Sequence, residues 1–323
     1  MATYRRAFLC AGASLALSAG AMTAASPAVS AQPAPPGRTG PQAARAYTAA
    51  VHCSTTELTS AINTGNSRIA ATIQLAPNCT YNYTAAAGPA SALPQITGRI
   101  TLVGRTNTKI IRDPSATDQF RVVDVALGAT FQATNVSFEG GDVDGDGGGI
   151  RNNGTTYLTL TNIRNNTATG DGGGLMNGTG ASALVSSNSL ISGNSGFSGG
   201  GVANYGNVRI ATTRITGNTS PQDGGGGVYT SESGNTTISS SRIDSNFAEF
   251  AGGGVLNYGV TALYGVVIEN NQNSATEGFP GGGVYNVIFN IPKPGVVISS
   301  GTTIRANIPD NCYPPGTIRG CAP

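Results

Sequence analysis

The sequence is poor in charge and in the residues that most often carry catalysis. Only 11% of its 323 residues are Asp, Glu, Lys or Arg, and it has one His and no Trp. So little charge argues against a coiled coil or helical bundle, which needs charged helix formers and tolerates few glycines. The lone His52 stands outside any Gly-His-Gly context and reads as an ordinary exposed residue, not a general base. Without Trp, the best sugar-stacking side chain is missing. Charge of one sign is also missing: Arg5 and Arg6 belong to a leader segment, after which 16 acids face 16 bases. Near-neutrality gives no electrostatic case for nucleic acid or an anionic membrane.

The first 31 residues read as an export signal. Arg5-Arg6 precede a largely apolar stretch from Ala7 to Met22, and Val29-Ser30-Ala31 is a small-residue cleavage site. Tyr4-Arg5-Arg6-Ala7-Phe8-Leu9 also resembles a twin-arginine motif, so general secretion and twin-arginine export both remain open. No later segment approaches the ~20 apolar residues of a membrane span. The mature chain is therefore expected outside the cell, secreted or held at the surface by a partner, and as a monomer.

What is abundant is glycine, 47 residues, neither at collagen's spacing nor in a disordered-type composition. Eighteen of them form six triplets, each followed by Ile150, Leu175, Val202, Val228, Val255 or Val284 at intervals of 25, 27, 26, 27 and 29 residues. Two positions later stands an Asn (Asn152, Asn177, Asn204, Asn257, Asn286), with Thr230 the exception. Between the triplets recurs Ile-x-x-Asn: Ile163/Asn166, Ile191/Asn194, Ile215/Asn218, Ile243/Asn246, Ile268/Asn271 and Ile304/Asn307. A period of about 27 with short strand-like runs and no helical periodicity predicts an all-β chain, one coil of a parallel solenoid per repeat. The glycines then turn the chain where a Cβ would clash or φ must be positive.

The expected organisation is a leader over 1–31, a Pro/Ala-rich linker over 32–50, an N-terminal cap over 51–94, the solenoid over 95–307 and a C-terminal cap over 308–323. Ser54-Thr55-Thr56-Glu57 is a capping-box sequence, and it predicts a short amphipathic helix over 54–64 that closes the N-terminal end. With Cys10 in the leader, four cysteines remain and allow three pairings. A rod separates the two ends, so Cys53–Cys79 and Cys312–Cys321 are expected; no Cys-x-x-Cys spacing favours a zinc site.

The paired Gly-Gly-Gly-[Ile/Leu/Val] and Ile-x-x-Asn motifs resemble the GGA[I/L/V] and FxxN repeats of polymorphic outer-membrane proteins and related adhesin-like proteins. The resemblance covers roughly residues 95 to 307. It implies a single-stranded right-handed parallel β-helix of the pectate-lyase-like kind, and binding or adhesion at a cell surface. Surface-anchored members carry a C-terminal membrane barrel where this sequence has a disulfide-bearing tail, so anchoring is not carried over.

Two sets of residues are candidates for chemistry. The residues just after the aliphatic position (Arg151, Met176, Ala203, Tyr229, Leu256, Tyr285) should point outward by strand alternation. With Tyr205 and Tyr258 they make an apolar stripe that either holds a glycan or protein partner or simply covers the coil. The second set is acidic. Asp142-Val143-Asp144-Gly145-Asp146-Gly147 begins like a Ca²⁺ loop but lacks its later ligands, and Asp146 and Asp171 should stack on adjacent coils. These carboxylates are either Ca²⁺ ligands or turn residues before Gly. A Ca²⁺-dependent lyase acting on uronate polymers is therefore the alternative to a binding protein. Arg214 and Arg242 should also stack, with Asp244 and Glu269 one position beyond them, as an outward polar face.

Overall fold

The computed structural model describes residues 46–274, 281–288 and 294–321; the leader segment and most of the predicted linker lie outside the described residues. The chain winds as a right-handed parallel β-solenoid of about nine turns. Each full coil contributes one strand to each of three sheets. In one coil these are Thr155–Thr159, Asn162–Arg164 and Leu175–Asn177. The first sheet has ten strands, the second nine and the third eight, and the named strands pair parallel.

Period-two alternation builds the core. On the second sheet Tyr81, Ile110, Phe138, Ile163, Ile191, Ile215, Ile243, Ile268 and Ile304 occupy one register column, all buried. On the third sheet the residues after the glycine triplets, Ile150 to Val284, form a matching buried column.

The triplets divide their work. The first glycine of each has a positive φ, for example +71° at Gly172 and +65° at Gly199. The second and third lie against neighbouring coils: a Cβ on Gly200 would stand 2.2 Å from the carbonyl oxygen of Thr219. Two asparagine ladders stitch the corners. Asn166, Asn194, Asn218, Asn246 and Asn271 each donate from Nδ2 to Oδ1 of the next member at 2.9 Å, and Asn271 passes the chain to Asn307. In the other ladder, where Thr230 replaces Asn, Asn204 Nδ2 donates instead to Thr236 Oγ1 at 2.9 Å, and Thr261 Oγ1 donates to Thr230 Oγ1 at 3.0 Å.

The solenoid starts earlier than its repeat. Tyr47–Ala50, inside the stretch assigned by composition to a linker, is a strand paired with Ala71–Gln74, and both belong to the first sheet. These early strands lack the glycine triplet, which is why periodicity does not reveal them. The helix spans Thr55–Asn66, with Ser54 Oγ accepting from Glu57 N at 3.3 Å, and buries Leu58, Ala61 and Ile62 over the first coils. Both expected disulfides are present, with Cα–Cα distances of 5.5 Å for Cys53–Cys79 and 6.2 Å for Cys312–Cys321.

Candidate aromatic and acidic site

The middle residues of the third-sheet strands do point away from the main core, but half of the six are buried. Ala203, Leu256 and Tyr285 are buried, and Leu256 and Tyr285 join Ala251 in a second apolar cluster, with Tyr229, Tyr258, Val287 and Tyr313 packed against it. The expectation of a continuous outward stripe is therefore corrected. Each three-residue strand is flanked by sharp turns, and the backbone of those turns closes over the column: the Cα of Gly224 approaches Leu256 so closely that a Cβ there would sit 2.5 Å from Leu256 Cδ2. Leu256 and Tyr285 are packing residues; Met176, Tyr205, Tyr229 and Tyr258 keep partly accessible surface.

The tyrosines form a ladder along the coils. The ring centroids of Tyr205 and Tyr229 are 5.9 Å apart, those of Tyr229 and Tyr258 5.8 Å, and those of Tyr285 and Tyr313 5.2 Å. Such contacts add modest stability to burial and fix ring orientation.

The acidic set joins this ladder. Asp146 and Asp171 occupy equivalent bends of neighbouring coils, and Asp146 Oδ1 accepts from Asp171 N at 2.9 Å. Asp171 in turn accepts from Ser198 N at 3.0 Å and from the Tyr205 hydroxyl. Ser198 Oγ donates to Asp223 Oδ2 at 2.8 Å, so one serine bridges two carboxyl groups. Burial pushes the Asp223 carboxyl above its ordinary range; the Ser198 hydrogen bond opposes that shift and the nearby Asp171 charge adds to it. Burial also raises the Tyr205 and Tyr229 hydroxyls, with Asp171 contributing in both cases, so both remain neutral donors.

Asp223, Ser198, Phe197 and Phe250 were not singled out by the sequence. Phe197 and Phe250 are exposed in the same series of bends, and Phe250 N donates to the carbonyl of Asp223 at 3.0 Å. The signal was weak because Asp223 falls one position out of step: Gly224, not Asp223, aligns with Ser198.

The carboxylates of the Ca²⁺-like segment do not converge. Asp142 Oδ1 accepts from Gln119 Nε2 at 3.3 Å, Asp144 Oδ1 from Thr169 Oγ1 at 2.8 Å, and Asp146 from the next coil. Among the described residues no group of three or more His, Cys, Asp or Glu is arranged to hold a metal ion. The site thus sets partly exposed aromatic rings beside carboxyl groups that are held by Ser198 and the neutral Tyr205 hydroxyl.

A family model described as a right-handed beta helix region matches residues 131–317, more than half of the chain. No curated protein and no solved structure matches the chain significantly.

Proposed function

The chain belongs to the right-handed β-helix family, and on that scaffold we propose a secreted, adhesin-like binding protein that takes a neutral extracellular glycan, free or on a surface glycoprotein. The observation that carries this reading is the placement of exposed Phe197 and Phe250 in the series of bends that also holds Asp171 and Asp223, with Asp171 accepting from Tyr205 of the aromatic ladder. Ring faces suit the apolar faces of sugars, and carboxyl oxygens accept from their hydroxyls. The same carboxylates disfavour an anionic ligand.

Extracellular location is supported by two disulfides, which persist in oxidising compartments. Among the described residues no helix is long and apolar enough to cross a membrane. The lyase alternative has less behind it, since Asp142, Asp144 and Asp146 are engaged separately and Asp171 and Asp223 would repel a uronate. The test is a glycan array probed with the wild-type chain and with Phe197→Ala/Phe250→Ala. Retention of neutral glycans that the double variant loses supports the reading. Formation of an ultraviolet-absorbing unsaturated product from a polyuronate, together with heat on Ca²⁺ titration, would replace it with the lyase.

A further inference from the structure

We propose a second, separate site on the second sheet, selective for sulfate or phosphate esters carried on a linear polymer. The near-neutral total charge hides a segregation by depth, with acids beneath cations, on the predicted polar face. On the outer face of the second sheet Arg214 and Arg242 are register partners on adjacent coils, as are Asp244 and Glu269 beside them. Arg214 holds Asp244 through two hydrogen bonds of 2.9 and 2.7 Å. Arg242 reaches both acids, and Arg305 closes the row on Glu269 at 2.8 Å.

The acids lie beneath the cations. The Asp244 and Glu269 side chains are 3% and 7% exposed, whereas Arg214, Arg242 and Arg305 are 55%, 47% and 66% exposed. Three guanidinium groups therefore stand over two buried carboxylates, which leaves one positive charge in excess and only the cations in contact with solvent. Each acid uses part of a five-donor guanidinium, so donors remain for an external oxyanion.

Arg214 and Arg242 edge an open groove of about 620 Å³ at the corner between the first and second sheets. Its other lining includes the exposed Thr212 and Ser240 and the buried Ser189 and Thr213, whose hydroxyls donate to the carbonyls of Ser186 and Ala211, and each coil turns the corner through a left-handed residue: Asn188, Thr212, Ser240, Gly265. The same corner holds a smaller pocket of about 150 Å³ beside Lys109 and Arg164, which overlie Glu139 in the same cation-over-acid arrangement. Cations thus recur along one corner of the solenoid, parallel to its axis, as a linear polymer requires. Two arginines on strands one spacing apart, ~4.8 Å, flanked by the exposed Thr212 and Ser240, match the several acceptor oxygens of a tetrahedral ester better than a single carboxylate.

The test uses the mature chain and measures binding of heparin, a glycerol-phosphate polymer, polygalacturonate and duplex DNA at several salt concentrations. Arg242→Gln is the informative variant, because Asp244 keeps Arg214 and Glu269 keeps Arg305. Arg209→Gln, on the first sheet, removes the same charge elsewhere. Expected is salt-sensitive binding of heparin or of the glycerol-phosphate polymer, about five- to tenfold weaker in Arg242→Gln and unchanged in Arg209→Gln. Which of those two binds identifies sulfate or phosphate. Absence of both, preference for polygalacturonate, equal binding of DNA, or equal losses in the two variants would overturn the proposal. Neutral-glycan retention on the aromatic face is scored separately and does not bear on this outcome.

Discussion

Asn194 donates from its side-chain amide to Oδ1 of Asn218 at 2.9 Å, and the same Oδ1 also accepts from Asn194 backbone N at 3.0 Å. Asn218 Nδ2 meanwhile donates to Ile191 O at 3.0 Å. One buried side chain thus serves three groups on the preceding coil, and the pattern repeats along the corner. Asn218→Ala strands those groups without water. It should cost about 2–4 kcal/mol in denaturant unfolding, whereas the exposed Asn235→Ala should stay within about 0.5 kcal/mol. Equal small effects would mean that the ladder is not a source of stability.

The glycine triplets give a sharper contrast. Gly200→Ala places a methyl group 2.2 Å from Thr219 O and 2.5 Å from Thr219 C, both backbone, so nothing flexible can yield. Loss of more than about 4 kcal/mol, or failure to fold, is expected. Gly217 also has a positive φ, +63°, but a Cβ there meets nothing within 4 Å. Gly217→Ala should cost only about 1 kcal/mol, from backbone strain alone. Thermal and denaturant midpoints of the two variants check both values.

Two aspartates should respond to pH in opposite senses. Burial raises the Asp223 carboxyl, so its charged form is penalised in the fold: stability falls as pH climbs from below the ordinary carboxylate range through the raised value. Asp223→Asn should therefore stabilise the protein at neutral pH and give no gain in strong acid. Burial opposes ionisation of Asp244 as well, but the hydrogen bonds of Arg214 and Thr216 and the nearby cations outweigh it and lower its value. Its contribution is present above the ordinary range and lost as pH falls through the lowered one. Asp244→Asn should destabilise at neutral pH and approach wild type in strong acid. Denaturant melts of both variants across the acid range decide this.

Architecture was legible because the triplets and the Ile-x-x-Asn motif each encode a local necessity: a positive φ, a close backbone approach, a buried amide with a partner one coil away. Stacking of Arg214 on Arg242 followed from the same register. The site was less legible. Alternation correctly sends Leu256 and Tyr285 away from the main core, but no periodic rule tells that neighbouring turns close over them. Asp223 escaped because its bend is displaced by one residue, and the groove escaped because its turn residues, from Asn188 to Gly265, share a backbone conformation rather than a residue type.

We propose that neutral-glycan binding resides in the bends that carry Phe197, Phe250, Asp171 and Asp223, on a scaffold set by the repeats. The most direct test is calorimetric titration of the best-retained neutral glycan into the wild type and Phe197→Ala/Phe250→Ala. At least about tenfold weaker binding is expected in the double variant, with an unchanged melting midpoint. Undiminished affinity in that variant, or no neutral glycan bound by the wild type, would contradict it.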